Sequence, residues 1–152
     1  MSEGFPIETK TSINSIVVHP TNPEVAYAMT SLHETETAIG IYKTINGAQS
    51  WFPVNEGLDP YTNDLQIDPI NPDILYAATE GGIYKTTDGA HSWSKYSTGI
   101  PKGPVIDLAI DPLNPLVLYA ITAEELYSTR DGAEHWYPVS YTHLTLPTIY
   151  SV

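Results

Sequence analysis

Cysteine is missing altogether from this 152-residue chain, arginine occurs once, and six basic residues stand against eighteen acidic ones. Without cysteine there is no disulfide framework, no thiolate nucleophile and no Cys-based metal site, although the absence fits either redox compartment. A formal charge of −12 repels phosphate backbones and anionic membranes, which argues against nucleic acid or membrane as a partner. No apolar run approaches the roughly 18 residues of a bilayer span. Met1 to Lys10 lacks the basic region and apolar core of a signal peptide, so the signal of an exported parent protein is expected upstream. Also missing are a Walker loop, a dinucleotide fingerprint, a Ser-His-Asp signature and a zinc-protease helix.

What the chain does contain is repetition. Thr44-Ile45-Asn46-Gly47-Ala48-Gln49-Ser50-Trp51 returns as Thr86-Thr87-Asp88-Gly89-Ala90-His91-Ser92-Trp93 and as Thr129-Arg130-Asp131-Gly132-Ala133-Glu134-His135-Trp136. A second phrase precedes each copy, with His19-Pro20, Asp68-Pro69 and Asp111-Pro112 followed by Asn-Pro and then Tyr-Ala. The three tryptophans are 42 and 43 residues apart, the signature of a tandem array whose units bury their faces against one another. With 41% hydrophobic residues the chain has enough apolar material for one ordinary core.

Inside a unit the apolar pattern is short and alternating and rich in Val, Ile, Tyr and Trp, which reads as strands. In the middle unit, strands are expected over 64–68, 74–79, 82–86 and 92–97, joined by turns rich in Pro, Gly, Asn and Asp. No 11-residue stretch has helical spacing. Four antiparallel strands in about 43 residues is the size of one β-propeller blade. The fold expected is therefore all-β, three consecutive four-stranded blades in an open arc. The divisions expected are an N-terminal segment over 1–12, blades over 13–58, 59–101 and 102–138, and a tail over 139–152. Strand alternation puts the Asp-Pro and Asp-Gly turns on one rim and the channel mouth on the other.

The Thr-x-Asp-Gly-Ala-x-Ser-Trp phrase resembles the Asp-box, or bacterial neuraminidase repeat. That repeat occurs in sialidases, xyloglucan-degrading glycoside hydrolases, sortilin-type receptors and photosystem II assembly factors. The resemblance covers three units, residues 13 to about 138. It departs in having alanine (Ala48, Ala90, Ala133) where glycine is usual, His135 for Ser or Thr, and Asn46 for aspartate. It implies a structural role for Thr44, Asn46, Gly47, Trp51, Thr86, Asp88, Gly89, Trp93, Thr129, Asp131, Gly132 and Trp136. In physical terms the Asn or Asp accepts backbone N–H bonds of its own turn, the glycine supplies permissive φ, and the tryptophan packs between blades.

Sialidases of this resemblance hold their substrate carboxylate with three arginines, but Arg130 is alone here and lies within a box. A photosystem-assembly role is weakened in the same way, since an arginine-rich patch is missing. Glycoside hydrolysis needs two carboxyl groups about 5–10 Å apart. Candidates on the channel-mouth rim are Glu34, Glu36, Glu56, Asp59, Asp64, Glu80, Asp107, Glu124 and Glu125. Asp64 and Asp107 share one repeat position at the start of the innermost strand, either as a catalytic pair or as strand caps. The first unit carries seven extra residues, about 31–37, on that rim. His33, Glu34 and Glu36 within it, with Tyr61 as a stacking ring, are candidate ligand contacts or simply parts of tolerated loops. Asp68, Asn71 and Asp73 have a loosely calcium-like spacing without the glycine-centred loop or the distal Glu, so neither metal nor cofactor is expected.

From Val139 the chain runs Ser140-Tyr141-Thr142-His143-Leu144-Thr145-Leu146-Pro147-Thr148-Ile149, which resembles the translation of a transposase-type sequencing adaptor. The natural sequence is then expected to continue differently after Pro138 into further blades. The function expected is a binding or scaffold module for a glycan or protein within a larger, secreted or periplasmic protein. The alternative is a fragment of a glycoside hydrolase acting on a neutral polysaccharide.

Overall fold

The computed structural model of the protein describes residues 12–31 and 39–139. Among them there is no helix, and twelve strands form three four-stranded antiparallel sheets. The first sheet holds β1 (Ser12–Val18), β2 (Ala26–Ser31), β3 (Gly40–Thr44) and β4 (Phe52–Pro53). The second holds β5 (Thr62–Ile67), β6 (Leu75–Thr79), β7 (Gly82–Thr86) and β8 (Ser94–Lys95). The third holds β9 (Val105–Ile110), β10 (Leu118–Thr122), β11 (Leu126–Thr129) and β12 (Tyr137–Pro138). Strand order follows chain order in each sheet. Innermost β5 lies beside both β1 and β9, so the sheets are stacked as blades in an open arc.

The period-2 alternation of each strand assigns its side chains to one neighbour or the other. In β6, Leu75 and Ala77 join Tyr27, Ile41 and Val54 of the first blade in one apolar layer. The intervening Tyr76 and Ala78 join Leu108, Leu118, Ala120 and Tyr127 of the third blade in another. Trp93 belongs to the first layer and Trp136 to the second. Two of the three buried clusters thus lie between blades, and the third, Ala26, Ala28, Tyr42 and Trp51, belongs to the first blade alone. The two flanks of the arc expose the same kind of surface: Ile13, Ile16 and Val18 on the first blade, Tyr119, Ile121 and Tyr137 on the third.

The outer strand of the middle blade is shorter than the 92–97 expected from its sequence. The Trp93 amide donates to Glu56 O of the blade before, not to its own sheet. The Tyr96 amide still donates to Ile83 O, and beyond it the ladder passes through a side chain, because Ser97 Oγ accepts from Ile83 N at 2.7 Å. Asn55 Oδ1 does the same for Ile41 N in the first blade. Gly57 and Gly99 follow these outer strands with positive φ. A Cβ on either would collide with the backbone carbonyl of Trp93 or Trp136, which is why glycine stands there.

Candidate functional site

The innermost strands bring Asp64 and Asp107 together. Asp64 Oδ2 reaches across from β5 and accepts from Leu108 N at 3.0 Å, while Asp107 Oδ1 accepts from the same N–H at 2.9 Å. The two carboxyl groups also lie in hydrogen-bonding contact. Burial raises the pKa of Asp64, and the Asp107 carboxyl beside it raises it further, against the lowering effect of the Leu108 amide and Gln66. The pair is closed around that one amide. It leaves no space between the carboxyls for a scissile glycosidic bond, which requires about 5 Å or more.

Three other rim candidates are engaged in bonds of their own. Asp59 Oδ1 accepts from Tyr61 N, leaving the Tyr61 ring 43% exposed. Glu80 Oε1 accepts from Asn63 Nδ2, which also donates to Val105 O and so ties the second blade to the third. Glu125 accepts from the Tyr127 hydroxyl at 2.8 Å. His33, Glu34 and Glu36 lie outside the described residues. Among the described residues no three His, Asp or Glu side chains are grouped to hold a metal ion. Asp68 Oδ1 accepts from Ile70 N and Asn71 N, as His19 Nδ1 and Asp111 Oδ1 do in their own turns.

The repeated Gly-Ala turns are closed hydrogen-bond units. Thr86 Oγ1 donates to Asp88 Oδ1 and accepts from Ala90 N, and both Ser92 N and Ser92 Oγ donate to Asp88. Asn46 and Asp131 repeat the arrangement, with the His135 ring on Asp131 in place of a hydroxyl. Hydrogen bonds to the ionised form, led by the Ser92 hydroxyl for Asp88 and the His135 amide for Asp131, lower both carboxyls to about 2. Ala48, Ala90 and Ala133 all adopt φ near +70°, the left-handed region where glycine is unstrained. The methyls of Ala90 and Ala133 are fully buried, and that burial offsets the strain; Ala48 is exposed.

The second and third turns are also receptors for the blade before them. Lys43 Nζ and the Tyr27 hydroxyl both donate to Gly89 O, at 2.9 and 3.3 Å. Lys85 Nζ and the Tyr76 hydroxyl both donate to Gly132 O, at 2.9 and 3.5 Å. Burial lowers the pKa of both lysines against nearby carboxylates that raise it, Asp73 and Asp88 for Lys43, Glu134, Asp68 and Asp131 for Lys85. Burial and Asp73 push Tyr27 up to about 12. The indoles run the other way, Trp93 Nε1 to Val54 O and Trp136 Nε1 to Tyr96 O, both at 2.9 Å. Sequence reasoning passed over the lysines. Their signal was that two of only six basic residues occupy one repeat position, in Tyr42-Lys43-Thr44 and Tyr84-Lys85-Thr86.

The fold and these contacts define a class, an open arc of β-propeller blades. No protein-family model and no curated protein matches the chain. Solved structures do. A GH74 xyloglucanase from Xanthomonas campestris superposes with a TM-score of 0.66 at 15% identity, over 91% of this chain and 25% of its own. A GH74 enzyme from Niastella koreensis gives 0.66 at 16%, over 84% and 22%. YCF48, solved bound to a D1 peptide, gives 0.62 at 21%, over 86% and 42%. This chain therefore spans less than half the length of the structures it matches, and the likeness is one of fold.

Proposed function

We propose that this chain is part of an Asp-box propeller that binds or scaffolds a glycan or protein and does not itself carry a catalytic acid pair. The observation behind this reading is the shared Leu108 amide: its two carboxylates cap the innermost edge and link neighbouring blades. The Asp-box residues, from Thr44 to Trp136, act in turn closure and blade docking, where their side chains are already consumed. We place further blades of a longer parent chain on the exposed flanks, because Tyr119 stands where Tyr27 and Tyr76 stand and faces away from both docked layers. A secreted or periplasmic location rests on the Asp-box resemblance alone.

A second reading has its own support. Fold relatives include GH74 enzymes, and a surface of charge −12 suits a neutral polysaccharide. In that reading the acids that act on the glycosidic bond come from elsewhere in the parent. Reducing-sugar release from xyloglucan by the parent separates the two, with Asp64→Asn and Asp107→Asn alongside the unmodified protein. We expect no release from this chain, and no loss of any turnover of the parent in either variant. Release abolished by Asp107→Asn in a folded protein sinks the structural assignment.

A further inference from the structure

The two interfaces between blades differ at several repeat positions, that of Val54 and Tyr96 foremost, and a groove opens at the first. Val54 and Tyr96 are equivalent. Each accepts the indole N–H of the following blade, and each donates its own amide to the third strand, Val54 N to Ile41 O and Tyr96 N to Ile83 O. At the second interface the Tyr96 ring lies 5.1 Å from Lys85 Nζ, which also lies 5.4 Å from the Tyr76 ring. At the first, Lys43 Nζ lies 5.3 Å from the Tyr27 ring, and the position of the second ring belongs to Val54. There a groove of about 640 Å³ opens, lined by Lys43, Ile45, Phe52, Val54, Ala90 and His91 among others.

Its walls suit a ring. Phe52 and Ile45 present apolar surface, 40% and 59% exposed, and an ammonium stands within reach. An ammonium attracts the face of an aromatic ring through the ring quadrupole, and the volume lies in the range of small-ligand pockets. The equivalents of Ile45, Phe52 and Pro53 at the second interface are Thr87, Ser94 and Lys95, so the apolar lining is peculiar to the first. We propose that this groove binds an aromatic ring, phenolic for preference, seated beside Lys43 as Tyr96 is seated beside Lys85. The ring is the tyrosine side chain of a bound peptide, the same group that Tyr96 supplies beside Lys85. The groove is on the outer side of the arc, away from Asp64 and Asp107, so this inference stands or falls independently of the hydrolysis assay.

Amide chemical shifts followed by NMR test it, with p-cresol, N-acetyl-tyrosinamide and N-acetyl-leucinamide as separate probes. Saturable shifts are expected at Phe52, Val54, Gly89 and His91 with the two aromatic probes. N-acetyl-tyrosinamide is expected to bind more strongly than p-cresol, and equal or stronger binding of p-cresol overturns the assignment to a peptide tyrosine. Val54→Tyr supplies the ring from within and should weaken both aromatic probes about tenfold or more. An unshifted Trp93 indole resonance in that variant shows that the interface is intact. Lys43→Met should weaken them as well. The proposal is overturned by absent saturation, by equal binding of the leucine probe, or by undiminished binding in folded Val54→Tyr.

Discussion

The interface between the first two blades and the interface between the last two are built from the same parts and finished differently. Both dock a tyrosine and a lysine on one glycine carbonyl, and both return an indole N–H to the outer strand of the preceding blade. Yet Tyr96 fills the outer part of one interface, while Val54 leaves the other open. The lesson is that the conserved geometry of the stack resides in the docking bonds, and side-chain volume beside them is free to vary. An array can therefore acquire a binding groove at one junction without altering its arc. The same comparison runs through the turns, where Ala48 is exposed at the flank but Ala90 and Ala133 are sealed between blades.

The largest expected effect tests the shared part. Trp93→Ala and Trp136→Ala each remove a buried indole and its hydrogen bond, and each should cost about 3–5 kcal/mol in urea unfolding. A cost below about 1 kcal/mol for either would mean that the stack is held by something other than these docking residues. Next comes the part that differs. Tyr96→Val should cost about 1–3 kcal/mol and open a second groove, whereas Val54→Tyr should be neutral or stabilising. Equal losses in both directions would show that Val54 is tightly packed and the groove is closed in solution.

Thr62 offers a comparison along the innermost strands. Its hydroxyl is the buried polar atom without a partner among the described residues, and the equivalent residue in the third blade is Val105, fully buried. Thr62→Val should therefore stabilise by about 1 kcal/mol, since an unmatched buried hydroxyl is removed and shape is kept. A fall in melting temperature would reveal a partner for that hydroxyl.

Among the alanines, Ala48→Gly should raise stability slightly relative to Ala90→Gly, by about 0.5–1 kcal/mol. Both relieve positive φ, but only Ala90 gives up a buried methyl. The smallest effect is one of pH. Asp88 and Asp131 have folded pKa values near 2, below the ordinary carboxylate range, so their contribution is full above about pH 4. It is lost as the pH falls through about 2. Asn46 cannot titrate, so amide protection, relative to the intrinsic exchange rate at each pH, should fall in the second and third turns under acid while that of the first is unchanged. Simultaneous loosening of all three would point to global unfolding instead.

Much of this architecture was readable from the chain because tandem copies repeat their errors as well as their rules. Three Trp-terminated phrases located three blades, and Gly82–Thr86 emerged as a strand with its expected limits. Ser92–Ser97 did not, because the pairing of Trp93 with the preceding blade is a long-range bond that local alternation cannot signal. Asp64 and Asp107 were recognisable as equivalents, but the Leu108 amide that joins them depends on how neighbouring sheets are set. The groove was hidden for a simpler reason. A valine among apolar residues looks like core, and only its tyrosine counterpart one unit later shows how much room it leaves.

The acceptors in the docking bonds, Gly89 O and Gly132 O, belong to the main chain, and so do Val54 O and Tyr96 O. A docking bond that ends on the main chain makes no demand on the side chain at its acceptor, provided that the arriving strand carries its tyrosine and lysine. Duplicated units can then be added, deleted or exchanged without matched changes at these acceptors. Growth by copying is in that sense already permitted by the chemistry of a single carbonyl.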